Sequence, residues 1–314
     1  MAKSVLSDNR FHCEQAAFDY VEMQLWPDGP TCPHCGNADP DKIGRLANVR
    51  SKPSKKHPEG VERVGLRKCY ACRGQFTVRK GTIFEDSPLP LRLWLQAIHL
   101  LCASKKGIST RQLQRMLGCG MKTAWHLGHR IRTAMDPGAA GPMGGEGITV
   151  EADETAITNS PKTKRRFAGR KKPHTVVFSL VERGGNVRSL VLDHRAVGPM
   201  VRKHVHEASR LVTDGAQHYK LPPVAKHESV DHSKFEWARG DVHTNTLEGF
   251  FSVFKRGLIG TYQHVDSRHF ERYLAEFDFR FNTRAKLGID DMKREALAVQ
   301  GAKGKRLTYE TIGW

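Results

Sequence analysis

Four cysteines in two Cys-x-x-Cys pairs, Cys32/Cys35 and Cys69/Cys72, and three acids, Asp153, Asp214 and Glu248, are the residues whose types and settings point most directly to chemistry. The cysteines lie in Gly29-Pro30-Thr31-Cys32-Pro33-His34-Cys35-Gly36 and Lys68-Cys69-Tyr70-Ala71-Cys72-Arg73-Gly74, turn-forming stretches that let two thiolates converge on one ion. Two such knuckles supply four soft ligands, the set that suits tetrahedral zinc at a closed structural site. A redox dithiol pair is the alternative, and neither pair has the thioredoxin-like βαβ surroundings that chemistry uses. His34 stands between ligands but is expected to face solvent, because four cysteines complete the site. Cys13, Cys102 and Cys119 are left over, and an odd total argues against a disulfide framework.

The acids need elements that bring them together. Gly147 to Thr155 alternates in polarity and predicts a strand that delivers Glu151 and Asp153 to one face and Glu154 to the other. Two β-rich runs follow, His174 to Glu182 and Asn186 to Asp193, joined by the hairpin signal Arg183-Gly184-Gly185. Pro199 to Ser209 then reads as a helix, and Arg210 to Asp214 as a short apolar strand ending in a carboxylate. Strand, hairpin, helix and strand, with acids on the first and last strands, is the order of a ribonuclease H-like fold. Glu248 supplies a third acid on a helix whose buried stripe is Leu247, Phe250, Phe251, Phe254 and Leu258. The polar stripe beside it holds Asn245, Glu248, Ser252 and Lys255, so a carboxylate and an ammonium stand two turns apart, as needed if one binds metal and the other a phosphate. Hard divalent cations prefer oxygen ligands, and two of them can flank the attacking and leaving oxygens in phosphodiester exchange. Asn245 lies one turn before Glu248, and Asn-x-x-Glu is also a helix N-cap with its reciprocal partner, so Asn245 reads as cap or auxiliary ligand.

Charge identifies the partner class. A formal net charge of +18 implies an acidic polymer. Residues 91–135 carry eight Lys or Arg and no acid. Within them Leu91, Trp94, Leu95, Ile98 and Leu101 predict one helix, and Ser109 with Gln112 opens a second through Leu117. Gly118-Cys119-Gly120 breaks the chain, and Met121 to Met135 forms a third helix burying Ala124, Leu127, Ile131 and Met135. A turn with glycine before the last helix describes a helix-turn-helix, with Lys122, Thr123, His126 and Arg130 on the outward face toward DNA; a packed helical linker is the alternative. A second basic run lies between Pro161 and Pro173; because it follows the Asp153 strand, its Lys164, Arg165, Arg166 and Lys171 are expected to clamp DNA near the reacting phosphate, with a solvated loop as the alternative. The stretch from Ser51 to Gly60, between the knuckles, reads as a Lys/Pro-rich loop. No apolar run is long enough to cross a bilayer and the first residues lack a secretory apolar core, so a cytoplasmic, nucleoid-associated setting is expected.

Together Cys32-Pro33-His34-Cys35-Gly36, Val150 to Thr155, Val212-Thr213-Asp214-Gly215, His243-Thr244-Asn245 to Lys255, Gly257 to Tyr262 and Arg272 to Phe277 resemble the zinc-ribbon DDE transposases of bacterial insertion sequences. The resemblance runs from about Phe11 to Arg284, and the ordered combination is more specific than any one motif. It implies a multidomain α+β protein: an N-terminal helix and zinc ribbon (1–86), a helix-turn-helix segment (87–136), a linker (137–146), a ribonuclease H-like α/β domain with a mixed sheet (147–285) and a C-terminal tail (286–314). Asp153, Asp214 and Glu248 would bind Mg²⁺ or Mn²⁺, Lys255 would be the basic residue after the third acid, and Zn²⁺ would be structural. In this group an asparagine can take the third acidic role, which keeps Asn245 in view. The implied reaction is cleavage at the element's ends and transfer of the freed 3′-hydroxyl into target double-stranded DNA by a homodimer or larger assembly. The rival functions are a DNA-binding regulator with an inert catalytic domain and an endonuclease that only hydrolyses.

Overall fold

The computed structural model describes residues 4–158, 174–192, 197–215, 224–231 and 234–312. The chain divides into two compact units, one of residues 1–103, 110–135 and 291–314, the other of residues 104–109 and 136–290.

The first unit begins with α1 (Glu14–Leu25), which buries Ala17, Phe18, Val21 and Leu25. Next comes an antiparallel three-stranded ribbon of β1 (Ile43–Arg45), β2 (Arg67–Cys69) and β3 (Gln75–Phe76). Helix α1 is tied to it by Glu22, whose carboxylate accepts from the Arg67 guanidinium at 2.6 Å, and by an Asp19–Arg45 pair at 2.5 Å. The basic segment folds as α2 (Leu91–Ala103), α3 (Thr110–Leu117) and α4 (Met121–Met135), and Gly118 between the last two adopts φ +62°. Helix α2 starts where it does because Glu14 accepts from the backbone N–H groups of Leu91 and Arg92, which otherwise lack partners in a first helical turn.

The second unit is built on a five-stranded mixed sheet of β4 (Thr149–Thr158), β5 (His174–Glu182), β6 (Val187–Leu192), β7 (Arg210–Asp214) and β8 (Lys226–Val230), in the order β6-β5-β4-β7-β8. Antiparallel pairing joins β4, β5 and β6, whereas β4, β7 and β8 run parallel. The parallel step demands a crossover, which includes α5 (Val197–His204); the helix ends at His204, before the Ser209 expected from sequence. Alternation along β4 sends Val150 and Ala152 to one face, with Phe178, Leu180, Val201 and Leu211. The other face is covered by α6 (Asn245–Gly257) and α7 (Phe270–Asn282), whose Leu247, Phe250, Phe254, Phe270 and Phe277 pack with Val177 and Val181. The C-terminal stretch, which carries little periodicity, forms α8 (Asp291–Gln300) and the short α9 (Tyr309–Ile312) in the first unit. There Glu295, fully buried, accepts from His99 Nδ1 at 2.8 Å and lies 3.3 Å from Arg10 Nε. No helix among the described residues is long and apolar enough to cross a membrane.

Candidate functional site

The four cysteines converge as their spacing predicts: the ligand atoms of Cys32, Cys35, Cys69 and Cys72 all lie within 4.8 Å of one another. The Sγ–Sγ separations Cys32–Cys72 and Cys35–Cys69 are both 3.7 Å. Four thiolates at about 2.3 Å from a tetrahedral zinc stand roughly 3.8 Å apart, so the cage already has zinc dimensions. The backbone N–H of Cys72, with that of Ala71, holds the Cys69 thiol down to about 7 despite burial. At Cys35 the Asn37 N–H favours the thiolate, but burial and the neighbouring sulfurs outweigh it and push the thiol up to about 12. A cation resolves this conflict by charge. Cys32 and Cys69 are buried and Cys35 and Cys72 exposed, which leaves one side of the cage facing solvent. His34 is exposed, its Nε2 3.3 Å from the Gln75 carbonyl, and it is not a member of the cage. Metal analysis of folded protein never exposed to chelator should find about one zinc per chain, and Cys69→Ser should lose both the metal and the ribbon's share of thermal stability. Metal-free protein with the same melting temperature would remove zinc from this account.

The acid site forms where β4 and β7 lie side by side. Their parallel register pairs Glu151 with Val212 and Ala152 with Thr213, and one further residue sets Asp214 beside Asp153 on the face that α6 covers. Burial, then the charge of Asp214, and more weakly those of Glu154 and Glu248, raise the Asp153 carboxyl to about 7 against a hydrogen bond from the Glu154 N–H. Asp153 therefore feels the charge of both other predicted acids. The three do not close to the 4.8 Å spacing that the cysteines reach. The charges of Asp214 and Glu248 disfavour ionisation of Asp153, and a hard divalent cation with oxygen ligands would offset that repulsion, so these carboxylates are donors of the kind that suits Mg²⁺ or Mn²⁺.

Helix α6 is aimed by a residue outside the triad. Glu151, fully buried on β4, accepts from the backbone N–H of Thr246 at 3.0 Å and of Leu247 at 3.2 Å, and from the Thr246 hydroxyl at 2.9 Å. Its Oε1 also accepts from Arg183 Nε at 2.8 Å. The guanidinium of Arg183 reaches on to the carbonyls of Asp241 and His243, and Arg210 grips the Asp241 carboxylate, holding it down to about 2. A carboxylate from the sheet thus serves as the N-cap of the helix that carries Glu248, two residues along the strand from Asp153. This corrects the capping role considered for Asn245: Thr244 occupies the N-cap position without a side-chain capping bond, Asn245 is the first helical residue, and it is exposed. Two of the first-turn N–H groups, those of Thr246 and Leu247, are satisfied by Glu151 in place of a local side-chain cap. Glu248 is exposed and accepts a long 3.4 Å hydrogen bond from the Thr244 hydroxyl; Lys255 is also exposed, two turns on.

The outward face assigned to α4 needs correction. Lys122 is exposed and Thr123 half-buried, but the His126 ring stacks on Tyr309 with centroids 4.0 Å apart. Arg130 is 5% exposed, lies over Trp94 and donates to the Glu85 carbonyl at 2.5 Å. Residues 306–309 run along this side of α4, so it is buried on a second face that periodicity alone does not reveal. The exposed cations of the neighbouring helix are Arg111 and Arg115 on α3. Lys164, Arg165, Arg166 and Lys171 lie outside the described residues.

Comparison with known proteins agrees with this division. The family model described as a transposase zinc-ribbon domain matches residues 12–75, and that of an ISXO2-like transposase domain matches residues 143–282. The chain is also 27% identical over 308 residues, covering 90% of this chain and 96% of the relative, to an uncharacterized protein in transposable element ISH50 of Halobacterium salinarum.

Proposed function

Because the chain belongs to the zinc-ribbon transposases, we propose that it cuts DNA at the ends of its element and joins the freed 3′-hydroxyl to target DNA. The observation that carries this is the placement of Asp153 and Asp214 on neighbouring parallel strands, with the Glu248 helix capped from the same strand by Glu151. The sheet order, with its antiparallel hairpin and parallel return strands, supports a ribonuclease H-like reading of the second unit.

In this mechanism Asp153, Asp214 and Glu248 would hold divalent cations by their carboxylate oxygens. Mg²⁺ or Mn²⁺, when bound, supplies stabilisation of the negative charge that builds on the oxygens of an in-line displacement at phosphorus. Lys255, two turns after Glu248, holds a phosphate of the bound strand, and Asn245 lies one turn before Glu248 as an auxiliary polar group. Glu151 orients the helix and touches neither DNA nor cation. Water is the first nucleophile and the 3′-hydroxyl it frees is the second, so one site serves both displacements. The first unit reads DNA through α3 and the start of α4, using Arg111, Arg115 and Lys122, while His126 and Arg130 hold the C-terminal segment. Joining two ends calls for at least two copies on DNA.

The test is incubation of purified protein with Mg²⁺, a labelled duplex carrying the element's end and a target plasmid. Both a cut strand with a 3′-hydroxyl and a joined product are expected. Cutting without joining would reduce the activity to hydrolysis, and binding without either would leave a DNA-binding regulator.

A further inference from the structure

The segment between the two zinc knuckles extends the ribbon. Beyond Arg45 and Arg67 the β1–β2 pairing continues in the same register: Leu46 N–H donates to the Leu66 carbonyl, Arg63 to Val49 and Ser51 to Val61, each at 2.8 Å, and Arg50 pairs with Glu62. At Gly60 the register slips by one residue. Ser54 and His57 then exchange hydrogen bonds of 2.9 and 3.0 Å and close the tip. Gly60 has φ +71°, and a Cβ there would stand 2.1 Å from the Ser51 carbonyl oxygen, so the slip requires glycine. At roughly 3.3 Å per residue the Ser54–His57 pair stands on the order of 30 Å along the ribbon from Arg45.

Charge is balanced at the base of this arm and unbalanced at its tip. Arg45 and Arg67 are paired with Asp19 and Glu22, and Arg50 lies 3.8 Å from Glu59. Residues 51–58 hold Lys52, Lys55, Lys56 and His57 with no acid, every one of these eight residues is exposed, and none of the three lysines is ion-paired among the described residues. Three like charges within five residues, Lys52 just before Pro53 and Lys55 and Lys56 between Pro53 and Pro58, are all exposed and repel one another. A major groove about 12 Å wide admits a two-stranded ribbon, and phosphates flank it on both sides.

We propose that the arm from Leu46 to Leu66 is a second DNA contact, its tip seated in the groove of duplex DNA with Lys52, Lys55 and Lys56 on the flanking phosphates. This rests on the reading of the chain as a DNA-acting transposase. The test measures binding of full-length, zinc-loaded protein to a 30-bp duplex carrying the element's end, over a series of salt concentrations. The combined variant Lys52→Gln, Lys55→Gln, Lys56→Gln should lower the slope of log affinity against log salt by about 2 to 3 and weaken binding roughly tenfold to a hundredfold near 0.1 M salt. Zinc content and melting temperature should stay as in the wild type, since residues 51–58 are all exposed among the described residues, and Lys→Arg at the same positions should restore the slope. An unchanged slope and affinity in the Gln variant would overturn the proposal while leaving the DNA-acting reading intact. Wild-type protein that shows no salt-dependent duplex binding would overturn both.

Discussion

Asp153→Asn should abolish strand cleavage and joining while raising the melting temperature at neutral pH. The carboxyl is raised to about 7 by burial first and then by Asp214, so between the unfolded value near 4 and about pH 7 the folded chain keeps a proton that the unfolded chain has released. Its contribution to stability is therefore full below the unfolded value and falls as pH rises through that window. The asparagine side chain carries no such penalty, so its advantage in thermal unfolding, without divalent cation, should be largest near pH 7 or above and fade toward pH 4. Mg²⁺ should raise the melting temperature of the wild type and leave that of the variant nearly unchanged, because the amide removes the charge a hard cation needs. Asp214→Asn and Glu248→Gln should be equally inactive with end binding retained. Robust Mg²⁺-dependent joining by the Asp153→Asn or Asp214→Asn protein would end the catalytic assignment. If Asn245→Ala loses more activity than Glu248→Gln, the third metal-site residue is Asn245.

Glu151→Gln should have the opposite signature: lower stability and partial activity. Glu151 lies two residues from Asp153 on the same strand face, yet it faces donors, namely two helix N–H groups, a hydroxyl and a guanidinium. Removing the carboxylate altogether, as in Glu151→Ala, leaves those donors inside the unit without an acceptor. Breaking a buried charged pair in this way costs about 3 kcal/mol or more, enough to lower the melting temperature by several degrees. Glu151→Gln keeps one acceptor oxygen and should recover part of that loss. Its activity defect should appear chiefly in the rate at saturating DNA and be relieved partly by higher Mg²⁺, because what fails is the aim of the helix bearing Glu248. A Glu151→Gln protein that is as stable as the wild type and wholly inactive would make Glu151 a metal ligand and remove its positioning role.

The contrast between these two acids marks how far sequence reading reaches. Local spacing was enough for the cysteine cage, because each Cys-x-x-Cys turn converges its own thiolates and only the pairing of two turns is left to the fold. It was enough for the bounds of α3 and α4, which Gly118-Cys119-Gly120 interrupts, and for the faces of β4, where alternation separates Ala152 from Asp153. Asp153, Asp214 and Glu248 are named from the resemblance together with their positions on two strands and a polar helical stripe, and the activity of their variants is what tests that assignment.

The tertiary structure decided what depends on partners distant in sequence. Glu151 and Thr246 lie 95 residues apart, and only the packing of α6 on the sheet turns an ambiguous acid into the cap of that helix, displacing Asn245 from the role its own neighbourhood suggests. Arg130 and His126 stand on a face that is outward for an isolated helix, and Arg306 to Tyr309 bury it. The stretch from Ser51 to Gly60 has a loop's composition, yet it closes a hairpin, because the register set at Ile43 and Cys69 propagates along the ribbon and Gly60 accommodates the slip. Periodicity reports which side of an element is apolar; which polar side chain finds a buried donor depends on the long-range contacts that assemble the core.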